Sequence, residues 1–125
     1  MALSTVTLST RFGSTFAKET SATATKSVIK ASSGTLYTVE INNTANTAAN
    51  TFVKFYDNST GSVTVGTTGP DVVLKAPGGK TVTYQFALGI AFGTGIVMAA
   101  VSTAGTAGTS SQNPASAVIV KVVYD

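Results

Sequence analysis

The segment Lys80 to Leu88 alternates strictly, with Val82, Tyr84, Phe86 and Leu88 on one side and Thr81, Thr83 and Gln85 on the other. A period of two residues places successive side chains on opposite faces of an extended chain, which is the pattern of a half-buried strand. The same pattern recurs along most of the chain. Thr35 to Asn42 sets Tyr37, Val39 and Ile41 against Thr38 and Glu40, and Ser116 to Tyr124 groups Val118, Val120, Val122 and Tyr124. Thr51 to Asp57, Ser62 to Gly66 and Asp71 to Ala76 are shorter apolar runs, and Ile96 to Thr103 is apolar on both faces. No segment carries a sustained i, i+3, i+4, i+7 stripe, so helices are excluded as the main building blocks.

Turn residues separate these runs. Pro77-Gly78-Gly79 predicts a tight hairpin, and Asp57 to Gly61 and Thr67 to Pro70 predict turns. Asn42 to Asn50 and Ala104 to Ala115 read as longer loops. The glycines of Gly89 to Ile96 predict a crossing between sheets that inserts Ile90, Phe92 and Ile96 into the core. About seven strands in residues 34–125 predict an all-β, antiparallel β-sandwich, with a small β-barrel as the alternative.

Residues 1–33 differ. They are rich in Ser, Thr and Ala and poor in large apolar side chains, which predicts an extended N-terminal arm on a globular domain of residues 34–125. Leu3 to Leu8 is a possible further strand for a sheet edge, of this domain or of a neighbour. The charge follows the same division. Arg11, Lys18, Lys26 and Lys30 oppose only Glu19 in the arm, whereas Lys54, Lys75, Lys80 and Lys121 balance Glu40, Asp57, Asp71 and Asp125 in the body. A basic arm on a neutral body predicts a docking tail, with Arg11, Lys18, Lys26 and Lys30 as partner-binding residues.

The residue inventory narrows the chemistry. With neither His nor Cys, Ser-His-Asp and Cys-His catalysis, Cys/His zinc sites and disulfides are excluded. The five acids show no pairing suited to general acid–base work, so no enzyme is expected. Asp57-Asn58-Ser59-Thr60-Gly61 lacks the EF-hand spacing, and Gly89, Gly93 and Gly95 fit no phosphate-binding loop. No metal or cofactor is expected. The sparse basic residues, without an Arg cluster or stacking platform, do not suggest nucleic-acid binding. The longest apolar stretch falls short of the roughly 20 residues needed to span a bilayer, and no secretory signal is read at the N-terminus. Charged residues are 10% of the chain against an average of about 25%, while Thr, Ser, Gly and Asn account for 53 of 125 residues. The surface is therefore neutral and rich in hydroxyls.

This composition, the run Val82 to Ile96 (VTYQFALGIAFGTGI), the Thr-Ala-Gly-Thr-Ala-Gly-Thr loop at 103–109 and the terminal strand resemble tailed-bacteriophage virion structural proteins, most of all capsid decoration (cement) proteins. The resemblance implies a non-enzymatic protein, made in a host cytoplasm and mounted on the capsid exterior. It further implies a homotrimer that clamps neighbouring subunits of the major capsid protein, with no catalytic residues. A tail-fibre or adhesin-type domain binding a cell-surface glycan through loops 43–50 and 103–113 is the alternative.

Overall fold

A computed structural model describes residues 13, 15–59, 62–108 and 110–125. The strands are β1 (Thr15–Glu19), β2 (Ser27–Lys30), β3 (Gly34–Asn42), β4 (Thr51–Asp57), β5 (Val72–Ala76), β6 (Thr81–Phe92), β7 (Ile96–Val101) and β8 (Ile119–Tyr124). They form two four-stranded sheets, a front sheet ordered β1-β8-β3-β6 and a back sheet ordered β2-β7-β4-β5. All pairings are antiparallel, and the two sheets pack face to face as the expected β-sandwich rather than closing into a barrel.

The winding is simple. β1 pairs with β8, β2 with β7, β3 with β6 and β4 with β5. This is one long hairpin, four strands against four, wrapped so that successive pairs fall in alternate sheets. Pairing of β3 with β8 and of β4 with β7 then joins the pairs within each sheet. Such a double Greek key is the eight-stranded jelly roll.

The division expected at residue 33 does not separate an arm from the fold. β1 is an edge strand of the front sheet and β2 an edge strand of the back sheet, while Ala22 between them is buried in the core. Short strands with one or two apolar residues carry little signal of their own, and here the ladders with β8 and β7 supply the ordering. Leu3 to Leu8 and Arg11 lie outside the described residues.

Three other expectations change. Ser62 to Gly66 forms turns, and Val63 and Val65 pack with Tyr56, Val97 and Ala99 away from the main core. Pro77-Gly78-Gly79 joins strands of different sheets, so it is a crossing and not a hairpin. The alternation in β6 and β3 is interrupted by bulges. Leu36 pairs with Ile90 and Thr38 with Gln85, so β6 advances five residues while β3 advances two. Leu36 thereby enters the core, Tyr37 lies outside it, and Leu88 is 90% exposed. Gly89 sits in the bulge at φ 75°, where a Cβ would approach the Tyr37 ring to 2.9 Å. Only glycine tolerates both demands.

One end of the sandwich is tied by Asn43, which is fully buried. Its Nδ2 donates to the carbonyls of Ala49 (2.9 Å) and Ala76 (3.1 Å), and its Oδ1 accepts from Asn46 Nδ2 (2.9 Å) and Thr51 Oγ1 (2.9 Å). Asn46 in turn bonds Ser116 through both side-chain atoms, at 2.8 and 3.1 Å. Buried polar groups left without partners cost about 1–3 kcal/mol each. Asn43→Ala should therefore lower unfolding stability by about 3 kcal/mol. Asn43→Asp should be at least as harmful, because a carboxylate cannot donate to the Ala49 and Ala76 carbonyls. Urea midpoints of the two variants check both expectations.

Candidate interaction surface

The acidic side chains are occupied with structural work. Asp57, at the end of β4, accepts amide hydrogens from Thr94 (2.7 Å), Gly93 (3.0 Å) and Gly95 (3.3 Å). It therefore fastens the turn between β6 and β7. The amide of Thr94 foremost, then that of Gly93, holds the Asp57 carboxyl below the usual carboxylate range. Asp71 accepts from the Asp57 amide at 2.6 Å, Glu40 pairs with Lys121 at 3.5 Å, and Glu19 accepts from the Ser21 amide at 3.0 Å. Among the described residues, no group of three or more acids gathers to hold a metal.

The middle of the back sheet, β4 and β7, is covered on its outer side. All six residues of β7 are buried, which explains its continuous apolar sequence. The connection 58–71 lies over Tyr56, Val97 and Ala99 through Val63 and Val65. The connection after β7 is held by Lys54, fully buried, whose ammonium donates to the Ala107 carbonyl. Burial pushes the Lys54 pKa down and the Tyr56 pKa up. The Tyr56 hydroxyl has no partner among the described residues.

The four cations expected to form a docking site do not make a single patch. Arg11 lies outside the described residues. Lys18 is exposed on β1, in register with Lys121. Lys26 instead donates to the Val63 carbonyl at 2.9 Å, pinning the loop over the back sheet. Lys30 ends β2 beside Gly34 at one end of the sandwich.

Among the described residues, two open surfaces remain. The first is the outer face of the front sheet. Registers place Phe16, Val123, Thr38 and Gln85 in one row and Lys18, Lys121, Glu40 and Thr83 in the next. Phe16 is 60% exposed there. The second is a lateral cleft of about 160 Å³ between β1 and β2, lined by the apolar Ala17, Val28, Ile29, Met98, Val120 and Val122 together with Lys18, Glu19 and Ser27. Both bordering strands are sheet edges, and Val28 is 42% exposed. Both lateral sides carry a bridge: Ser27 of β2 donates its hydroxyl hydrogen to Glu19 of β1 at 3.2 Å beside the cleft, and on the opposite side Tyr84 of β6 donates to the Lys75 carbonyl of β5 at 2.5 Å. Residue type alone does not reveal the cleft, which depends on β1 and β2 bordering the same side. Val28 and Ile29, two of the few large apolar residues of the otherwise polar segment, are its visible signal.

The loops around 43–50 and 103–113 share one end of the sandwich, through the Asn46–Ser116 bonds and the bond from the Ala24 amide to Asn113 Oδ1 (2.8 Å). No family model, no curated protein and no solved structure matches this chain.

Asp57 gives a pH signature. Its folded pKa lies below 3.8, so its contribution is complete above that value and is lost as pH falls through the folded pKa. Asp57→Ala should cost about 2 kcal/mol at pH 7, the range for hydrogen bonds to a charged group. It should also remove part of the parent's further loss of stability below pH 3.8. Denaturant unfolding of parent and variant from pH 2 to 7 measures the difference.

Proposed function

We propose that this protein is a non-enzymatic virion structural protein that decorates the outside of a bacteriophage head and clamps neighbouring subunits of the major capsid protein. The observation that carries the reading is the asymmetry of the sandwich. The middle strands of the back sheet are covered by its own loops, while among the described residues the front sheet offers an open face with an exposed phenylalanine. Jelly rolls serve in viral shells and in lectins, so the fold is compatible with the reading without deciding it. The sparse charge and abundant hydroxyls suit a surface that does not adhere to its own copies elsewhere on a particle.

In this reading the front face meets the shell. Phe16 supplies the apolar anchor, Lys18 and Lys121 supply positive charge, and Arg11 adds to them from the preceding segment. Lys26 is committed to Val63, so it contributes to the fold and not to docking. A homotrimer engaging several shell subunits gains avidity without one strong contact.

The alternative is a glycan-binding fibre or adhesin domain, favoured by the convergence of the 43–50 and 103–113 loops at one end. Loss of the protein from particles separates the two. A decoration protein predicts shells that break at lower temperature with adsorption to cells unchanged. Intact shells with failed adsorption select the adhesin. Within the decoration reading, Phe16→Ser combined with Lys18→Gln should retain the β-type circular dichroism and reduce particle occupancy at least tenfold. The charge part of that loss should be largest at low salt, where screening is weakest.

A further inference from the structure

Lys18 of β1, Lys121 of β8 and Glu40 of β3 stand in one register row across the outer face of the front sheet, with Thr83 of β6 after them. Direct neighbours in such a row have Cβ atoms about 5 Å apart, and like charges placed opposite each other destabilise the pairing. Lys18 and Lys121 are such a pair. Glu40 lies on the far side of Lys121 and pairs with it at 3.5 Å. Lys18 stays exposed and makes no ion pair among the described residues.

The chain has no acid left to complete the row. It contains five: Glu19, Glu40, Asp57, Asp71 and Asp125. Glu19 accepts from the Ser21 amide and the Ser27 hydroxyl, and Glu40 is taken by Lys121. Asp57 holds the amides of Gly93, Thr94 and Gly95, and Asp71 holds the amide of Asp57. Asp125, beyond the end of β8, accepts from the Tyr37 hydroxyl at 3.4 Å. Residues 1–14 contain Arg11 and no acid, so the segment ahead of β1 cannot supply one. A second copy brings the same commitments and the same excess of positive charge, so two front faces repel. The missing anion therefore belongs to a different molecule. Phe16, 60% exposed, stands two residues from Lys18 on the same face, about 7 Å along the strand. Val123 is in register with Phe16 and extends this apolar part.

We propose that Lys18 and Lys121 together receive a side-chain carboxylate of a foreign protein, with an apolar residue of that protein seated against Phe16 and Val123. The inference rests on the capsid reading for the identity of the partner, a shell subunit. It adds the chemistry that the partner presents: an Asp or Glu beside an apolar side chain. A carboxylate between the two ammonium groups converts a repulsive pair into an attractive triad, so the repulsion carried by the free protein is relieved only in the complex.

The like-charge pair lets docking be separated from folding. Lys18→Glu gives Lys121 an opposite neighbour, so it should raise the urea midpoint of the purified protein by about 0.3 M at low salt. The same variant should lower particle occupancy at least tenfold, whereas Lys18→Arg should keep more than half of it. Glu40→Gln, which frees Lys121, should raise occupancy, while a purely structural Glu40 would lower it when removed. Isotope-labelled full-length protein is also titrated with a glutamate-rich peptide containing leucine, with a DNA duplex and with phosphatidylglycerol vesicles. The peptide should shift the amide signals of residues 16–18 and 121–123, and Lys18→Glu should abolish those shifts. No shift there at millimolar peptide overturns the proposal, as does tighter binding of the duplex or the vesicles. Full particle occupancy by Lys18→Glu overturns it too and leaves the capsid reading standing. Peptide binding at this face, by a protein whose loss leaves shell stability unchanged, upholds the carboxylate site and overturns the capsid reading alone.

Discussion

The buried amide of Asn43 sets the end of the sandwich on which the loop architecture depends. A jelly roll must repeatedly carry the chain from one sheet to the other, and each crossing exposes backbone groups that the ladders cannot satisfy. Asn43 answers this with a side chain that both donates and accepts. It joins the 43–50 loop to the end of β5 and, through Asn46, to the segment before β8. The backbone takes part as well, since the Asn43 amide donates to the Lys80 carbonyl at 2.9 Å. Gly78 completes the joint, because a Cβ there would lie 2.8 Å from the Ala48 carbonyl carbon. At the other end of the sandwich Asp57 does the equivalent work with a charged acceptor. Around the buried Asn43 low dielectric strengthens the bonds and makes their loss costly, so a few residues can fix long loops.

The alternation of Val82 and Tyr84, of Val39 and Ile41, and of Val120 and Val122 made the sandwich legible, because a side-chain period of two survives wherever the ladder is regular. It failed where the ladder is not. The bulge opposite Gly89 moves Leu36 into the core and Leu88 out of it, and a bulge is a relation between two strands that neither strand shows alone. β1 and β2 were hidden for a related reason. Thr-Phe-Ala-Lys-Glu and Ser-Val-Ile-Lys have little apolar content and become strands through their pairing with β8 and β7. Of the four cations singled out by charge asymmetry, Lys18 is exposed on the front sheet, whereas Lys26 is spent on a loop carbonyl. Net charge along a segment carries no information about which way each side chain turns.

The two sheets have different fates because of their connections. Val63 and Val65 and the loop after β7 lie over the middle of the back sheet, so β7 is buried on both faces and reads as a continuous apolar run, whereas the edge strands β2 and β5 keep exposed residues. Among the described residues the front sheet has less cover, with Gly13 against Val123 and Tyr37, and its outward rows are mainly Thr, Gln, Lys and Glu, with Val123 and the exposed Phe16 among them. Asymmetry of this kind gives a small domain one inert side and one side available to a partner. The buried Lys54 belongs to the inert side, where its long aliphatic stem fills space and its ammonium holds the covering loop.

The position of β8 has a consequence for how the molecule comes to be made. β8 follows every other strand in the chain, yet it lies inside the front sheet between β1 and β3. Until it emerges from the ribosome, β1 has no partner, and β3 is paired on one side only. The back sheet can assemble earlier, since β2, β7, β4 and β5 all precede β8. Synthesis at about 5–20 residues per second therefore leaves a period in which the apolar inner face of the back sheet waits for its cover. The final closure joins Asp125 to Thr35 through two backbone hydrogen bonds, of 3.0 and 3.3 Å. Folding of this chain is dominated by contacts between distant residues, the class of topology that folds slowly. With β6 uncharged and β7 wholly apolar, that interval is the stage at which nascent copies are most exposed to one another.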